Sequence, residues 1–353
     1  MGSIKVIHIE SGLGNQMLSY CELLAIQKMN PSDECFIETL VYDIPECNDA
    51  ICQWNGYELE KVFGIKSRNV KELFDSSVWL EIYDEVHESR FWEKNWNWPV
   101  AISKALNHAG LDLENSYGDR SEMAQKNNSS FKGWLKNASF TDSRLGVFFR
   151  SMYYKLTLKK RIAALDSRTK VFIRTDKNLL TGQRLCFKYR GNDVDRIKDE
   201  IDRSFIFPPF KDEKSIKFVE FLEGCNSVFI HARRGDMLSA NGWCYKYGYF
   251  RRAVRYIKKK VNNPVFVFFT NTGSIEWCKN NARIFGLDYA KDKVCFVDWN
   301  TGEESYRDMQ MMSHCKHGII TNSTFGWWGA YFIKNPNKIT ISPEPTINTT
   351  YHC

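Results

Sequence analysis

Two adjacent guanidiniums, an imidazole and a carboxylate crowd into six residues, His231-Ala232-Arg233-Arg234-Gly235-Asp236, directly after the apolar run Val228-Phe229-Ile230. Arginine presents a planar fork of donors that matches phosphate oxygens and never loses its charge. The apolar run reads as a buried parallel strand. Residues just past the carboxyl end of such a strand face the ligand crevice of an open α/β sheet. The loop therefore points to a diphosphate-bearing ligand. Met in isolation, the same residues read as a surface ion-pair cluster or a chance Arg-Gly-Asp tripeptide, and the rest of the chain must decide.

Three further segments bear on that decision. Asn322-Ser323-Thr324-Phe325 lies between an apolar run and a segment containing Trp327 and Trp328. Hydroxyls in that position cap a helix, or offer donors to a phosphate, and pairing with the arginine loop in one sheet favours the second role. Asp298 ends another apolar run; its carboxylate is a natural partner for the N1–H and amine donors of guanine, or a member of a structural ion pair. Gly12-Leu13-Gly14-Asn15-Gln16 opens like a dinucleotide fingerprint but lacks its third glycine and its acidic partner. A tight loop bringing backbone donors near a ligand, or close helix–sheet packing, fits it equally. Against these stands Asp193-Val194-Asp195, a carboxylate pair of the kind that holds a divalent metal on a nucleotide diphosphate. It leads into a charged helical segment rather than following an apolar strand, so helix capping explains it better.

The elements that must position these residues alternate. Strand-like runs at 227–232, 265–270, 294–297, 318–321 and 338–341 are separated by helical candidates at about 248–260, 274–285, 305–316 and 325–334, the pattern of a doubly wound parallel sheet. The first half repeats the start, with strand Ile4–Ile9, the glycine loop, and a helix carrying Met17, Leu18, Cys21, Leu24 and Ala25 on one face. The expected class is therefore α/β with two Rossmann-like domains, 1–210 and 211–353, divided near Phe207-Pro208-Pro209-Phe210. Residues from about 90 to 185 read as an inserted, largely helical segment. With 353 residues, 43% apolar and 26% charged, the chain is folded rather than disordered, and two domains suit its length.

A net charge of +7 is modest. The basic stretches Lys155 to Arg161 and Arg251 to Lys260 could touch an anionic membrane or nucleic acid, but a solvated helix face is the favoured account of each. Eleven irregularly spaced cysteines without a Cys-x-x-Cys pair read as reduced, buried thiols. His314-Cys315-Lys316-His317 lacks a second ligand pair at zinc-like spacing, so no metal is expected there. No apolar stretch approaches a membrane span and no leader precedes Ile4. The expectation is a cytoplasmic protein, at most peripheral to the inner face of a membrane, with no nucleic-acid partner.

Taken together the glycine loop Gly12–Met17, the arginine loop His231–Asp236, and the block Asp308–His317 followed by Asn322-Ser323-Thr324-Phe325-Gly326-Trp327-Trp328-Gly329-Ala330 resemble the α-1,2-fucosyltransferases, glycosyltransferase family 11, in its bacterial form. Order and spacing agree over most of the chain outside 90–185. The resemblance implies a GT-B fold of two facing Rossmann-like domains, an acceptor-side 1–210 and a GDP-sugar-binding 211–353. It implies GDP-fucose as donor, no cofactor or metal, and inverting transfer of L-fucose to the 2-hydroxyl of a terminal galactose on an oligosaccharide or lipid-linked glycan. By matching positions, Arg233 and Arg234 would grip the pyrophosphate with Arg233 stabilising the leaving group. His231 would lie near guanine or ribose, and Ser323 and Thr324 would meet the distal phosphate. Asp236, Asp298, Asn322, Phe325, Gly12, Gly14, Asn15 and Gln16 complete the expected donor site. Glu10 and Asp236 are the candidate bases. The chain departs from the family at Ser11 and at Thr270-Asn271-Thr272, where glycine and adjacent acidic residues are usual, and at Gly326, where serine is. Two rival readings are a metal-dependent sugar transferase built on Asp193 and Asp195, and a nucleotide- or glycan-binding protein without catalysis.

Overall fold

The computed structural model describes residues 2–51, 55–129, 143–173, 175–182, 184, 196–344 and 347–353. The chain folds as two compact units, Met1–Arg150 with Lys159–Ile206, and Ser151–Leu158 with Phe207–Cys353. Each unit is an α/β body around its own wholly parallel sheet, the Rossmann-like arrangement expected of the class.

In the first unit β1 (Ile4–His8), β2 (Glu34–Glu38), β3 (Glu114–Asn115) and β4 (Leu179–Thr181) lie in the order β2-β1-β4-β3. Parallel strands must be joined by crossovers that cover both faces, which is why β1 and β2 are each buried at all but their first residue. Val6, Phe36 and Leu180 sit in one core with Trp98, Ile102 and Leu106 of the helix Trp98–His108. The described residues between 90 and 185 are largely helical, with helices Trp98–His108, Arg120–Ser129 and Arg144–Ile173. They are not external to the sheet, however: the segment supplies β3 and β4, and β4 pairs directly with β1.

The second unit orders its strands β10-β9-β8-β5-β6-β7, with β5 (Ser227–Ala232), β6 (Val265–Thr270), β7 (Lys293–Phe296), β8 (His317–Ile320), β9 (Thr340–Ser342) and β10 (Tyr351–His352). β5 is buried along its whole length. The amphipathic helix Tyr249–Lys260 packs Phe250, Val254 and Ile257 on one face of the sheet and carries Lys258, Lys259 and Lys260 in its last turn, where the helix dipole favours cations. The continuous helix expected at 274–285 is two short pieces, Ile275–Lys279 and Ala282–Phe285, interrupted where Asn281 Nδ2 turns back to the Trp277 carbonyl (2.7 Å). The Phe207–Phe210 segment is tied to this unit, since Arg307 and Gln310 both donate to the Pro208 carbonyl (2.7 and 2.9 Å).

Candidate active site

In the second unit the chain runs from β5 outward to β6 and β7, then returns to the other side of β5 as β8. Strand order reverses between β5 and β8, and ligands of open α/β sheets bind at such a reversal, beyond the carboxyl ends of the strands. The arginine loop leaves β5 and Asn322–Phe325 leaves β8, so the topology brings the two segments to the same crevice. His231 and Ile320 are direct register partners just before it.

The arginine loop is held from three sides. Thr270 Oγ1 donates to the Ala232 carbonyl (2.7 Å), Asn271 Oδ1 accepts from the Arg234 amide (3.0 Å), and Tyr245 Oη donates to the Arg233 carbonyl (2.9 Å). Thr270 and Asn271 thus support the loop. The two guanidiniums differ. Arg234 lies over the Trp277 ring at 3.3 Å from its centre, with Tyr245 at 5.0 Å, so aromatic faces engage its charge. Arg233 pairs with Asp236 (3.1 Å), whose carboxylate is half exposed.

His231 is buried, and its Nδ1 has no hydrogen-bond partner among the described residues. Burial first, and the nearby Arg233 second, push its pKa down to about 3, so the ring is neutral at pH 7. It lies beside Phe325, ring centres 5.8 Å apart, and against the first turn of the helix Thr324–Phe332. A side chain at Gly326 would put its Cβ 2.4 Å from His231 Nδ1, so the absence of a Cβ there is what admits the imidazole.

Ser323 is the residue before that helix, and its hydroxyl makes no capping hydrogen bond. The Trp327 amide reaches the Ser323 carbonyl (3.1 Å), leaving the amides of the first turn, Thr324, Phe325 and Gly326, outside the helical ladder. Such a terminus favours an anion through both its dipole and its donors. At the opposite end Lys338 donates to the carbonyls of Ala330, Tyr331 and Ile333 (2.9, 2.7 and 3.0 Å), while burial lowers its pKa to about 8.

One contributor escaped sequence reasoning. Asn241, fully buried in the helix Leu238–Lys246, accepts the Asn322 amide on Oδ1 (3.0 Å) and leaves Nδ2 without a partner among the described residues. Nothing in Leu238-Ser239-Ala240-Asn241-Gly242 has helical apolar spacing, so no pattern marked it. Asp298 belongs to the edge of the sheet, two strands from β5, where its half-exposed carboxylate stands 3.9 Å from Lys279 Nζ. Half-buried Asp308 accepts from Asn300 Nδ2 (2.7 Å); desolvation raises its carboxyl to about 7 against that bond's opposing effect.

The glycine loop lies in the first unit, where β1 also meets a reversal of strand order, against β4. Gly12 precedes the helix Leu13–Met29 in an extended conformation, while Ser11 adopts φ 66°. Gly14 is buried and Asn15 half-buried in the first turn. The Gln16 side chain donates to the Ser11 and Gly56 carbonyls and accepts the Glu58 amide, each at 2.8 Å, which makes it a clamp on the loop. Glu10 pairs with Arg184 (2.5 Å), accepts from Trp96 Nε1, and lies 3.4 Å from His8 Nε2. Burial raises its carboxyl, but Arg184, His8 and Trp96 outweigh that and bring it down to about 2. His8 bonds Glu38 through Nδ1 (2.5 Å) and stacks on Trp98 (3.7 Å). Burial opposes its charge, yet Glu38 and Glu10 raise its pKa above the ordinary value. Asp193 and Asp195 lie outside the described residues. Among the described residues no three His, Cys, Asp or Glu side chains converge on a metal position. His314 pairs with Glu223 (2.7 Å) and His317 Nδ1 accepts the Ile339 amide. Nine described cysteines are free thiols.

Residues 214–352 match the family model described as glycosyl transferase family 11. Over these residues the second unit resembles glycosyl transferase family 11. An alpha-1,2-colitosyltransferase of Escherichia coli is 38% identical over 148 residues, 40% of this chain and 48% of the relative. The O-antigen biosynthesis glycosyltransferase WbnK of Escherichia coli is 33% identical over 35% of this chain and 39% of its own length. The galactoside alpha-(1,2)-fucosyltransferase 1 of Plecturocebus brunneus is 32% identical over 30% and 28%. The chain thus spans less than half the length of these curated relatives. Among solved structures, NodZ alpha-1,6-fucosyltransferase co-crystallised with GDP aligns over 100% of this chain and 99% of its own, at 11% identity and a TM-score of 0.44. E. coli ADP-heptose lps heptosyltransferase II aligns over 99% and 89%, at 10% identity and a TM-score of 0.38.

Proposed function

We propose that the chain transfers L-fucose from GDP-fucose to the 2-hydroxyl of a terminal galactose, with inversion and without a metal ion. The observation that carries this reading is the reversal between β5 and β8, where Arg233, His231 and the uncapped terminus of the helix Thr324–Phe332 converge. A sugar leaving with GDP deposits negative charge on a diphosphate oxygen. Arg233 and the first-turn amides are donors fixed in advance where that charge develops, and one such donor contributes about 10²–10³ in turnover. Neutral His231 and the Asn241 amide supply hydrogen bonds to polar ligand groups without adding charge. The α-1,2 linkage in the names of two relatives supports the position of the new bond.

For the acceptor proton, Glu10 and Asp236 are the proposed bases. Glu10 is ion-paired with Arg184 and Asp236 with Arg233, so either must exchange its cation for the hydroxyl before taking a proton. A loose, oxocarbenium-like transition state reduces the demand on that base. Because one relative is named for colitose, GDP-colitose is the donor to compare with GDP-fucose.

The test is a transfer assay with GDP-fucose and galactose-terminated acceptors, with and without EDTA, the product linkage read by NMR. An EDTA-insensitive α-1,2 product, reduced about 10²–10³-fold in Arg233→Ala, is expected. Activity abolished by EDTA and by Asp195→Asn would replace this reading with the metal-dependent one. GDP binding with no transfer to any acceptor would leave a binding protein.

A further inference from the structure

The helix Arg144–Ile173 carries a surface for which nucleotide-sugar chemistry has no use. Leu145, Phe148, Phe149, Met152, Tyr153 and Leu156 recur at three- and four-residue spacing, which aligns them as one stripe. At 1.5 Å per residue the stripe is about 17 Å long. All six side chains are between 45% and 80% exposed, an apolar patch far larger than scattered surface residues make. Lys155, at the margin of the stripe, and Lys159 and Lys160, which prolong it by one turn, are exposed as well. Between 144 and 165 the sequence holds six Lys and Arg residues and no Asp or Glu.

We propose that this helix docks in the plane of an anionic phospholipid surface, with the stripe among the upper acyl chains and the lysine ammoniums at the phosphates. A solvated helix face, favoured from the charges alone, does not explain six large exposed apolar side chains in register. Pairing with the same helix of a second copy would hide the stripe, but it would also enclose Lys155, Lys159 and Lys160 of each copy, with no carboxylate between 144 and 165 to meet them. An anionic bilayer satisfies both features: it takes up the apolar stripe and neutralises the cations. Phenylalanine and tyrosine suit the depth between headgroup and chain. The helix lies on the surface and does not cross it, since no helix among the described residues is long and apolar enough to span a membrane.

Flotation of the full chain with vesicles tests this, comparing phosphatidylcholine alone with phosphatidylcholine containing phosphatidylglycerol. Wild type should float with the anionic vesicles, and added salt should weaken it. Replacing Lys155, Lys159 and Lys160 together by Ala should weaken binding about 100-fold, from roughly fivefold for each neutralised contact. Phe148→Ser with Phe149→Ser should weaken it at least tenfold at unchanged charge. Both variants alter exposed positions and should keep the wild-type Tm; if the serine variant does not fold, the alanine variant decides. Wild type that ignores anionic vesicles, or binds both compositions alike, overturns the proposal. So does a wild-type dimer in sedimentation equilibrium that the serine substitutions dissociate while vesicle binding is absent.

Discussion

Strand β1 in the first unit and strand β5 in the second each carry a histidine to the point where strand order reverses, and the two histidines meet opposite surroundings. His8 stands between Glu38 and Glu10 and stacks on Trp98. Behind Glu10, Arg184 closes a network of two carboxylates and two cations. Gly182 presses on the strand end so closely that an added Cβ would lie 2.7 Å from the His8 carbonyl oxygen. His231 has Arg233 nearby, an idle Nδ1, and a helix terminus whose serine makes no cap. The first reversal bonds its imidazole and carboxylates to one another, with Arg184 Nε and Trp98 Nε1 left over among the described residues; the second bonds neither His231 Nδ1 nor Asn241 Nδ2 to any described group. The same topology thus yields a strut in one unit and a socket in the other, and side chains alone make the difference.

The comparison breaks most visibly at its two arginines. Arg233→Ala should abolish the thermal shift that GDP produces while barely moving the Tm of the free protein. Arg184→Ala should do the reverse: leaving Glu10 buried without its cation costs about 2–4 kcal/mol, seen as a lower Tm of the free protein with the GDP shift retained. Equal loss of the GDP shift in both variants would dissolve the distinction between strut and socket.

Gly326→Ala comes next, since its methyl must displace His231. A cost of about 1–3 kcal/mol in stability is expected from overpacking, together with weaker GDP affinity by calorimetry. Unchanged affinity would remove His231 from the donor site.

The histidines also give opposite pH signatures, readable by NMR titration of the ring protons. His231, with its pKa lowered to about 3, stays neutral in the fold while the unfolded chain takes up a proton near 6.5. Its contribution therefore makes stability fall as pH drops from about 6.5 towards 3. His8, raised above 6.5, binds its proton more tightly in the fold, so its contribution is complete below that value and is lost as pH rises through the raised pKa. Histidines that titrate alike would show that the surroundings do not differ as described. The smallest effect belongs to Ser11→Gly. It relieves a left-handed serine at about 1–2 kcal/mol, offset by glycine's greater freedom when unfolded, and should raise Tm by only a degree or two.

The socket was legible in the sequence where an unbroken apolar strand ends in charged or hydroxylic residues. The arginine loop after β5 and Asn322–Phe325 after β8 could be assigned to one sheet edge from that signal alone. The strut was not, because His8, Glu38, Trp96 and Arg184 are scattered over most of the first unit and only the fold gathers them. β4 escaped as well, being three residues long in a segment dominated by helical patterning. Arg234 shows what residue type leaves out: Trp277, some forty residues on, lies against the face of its guanidinium, a contact that no spacing foretold.

Lys338 gives the second unit an alkaline limit. The nine-residue helix Thr324–Phe332 holds uncapped amides at one end and this ammonium on three carbonyls at the other, about 14 Å away. As pH rises through about 8 the ammonium loses its proton, and the helix keeps its shape but gives up part of the positive potential at its far terminus. Affinity for a dianion should therefore fade on the basic side before any residue in contact with that anion has titrated.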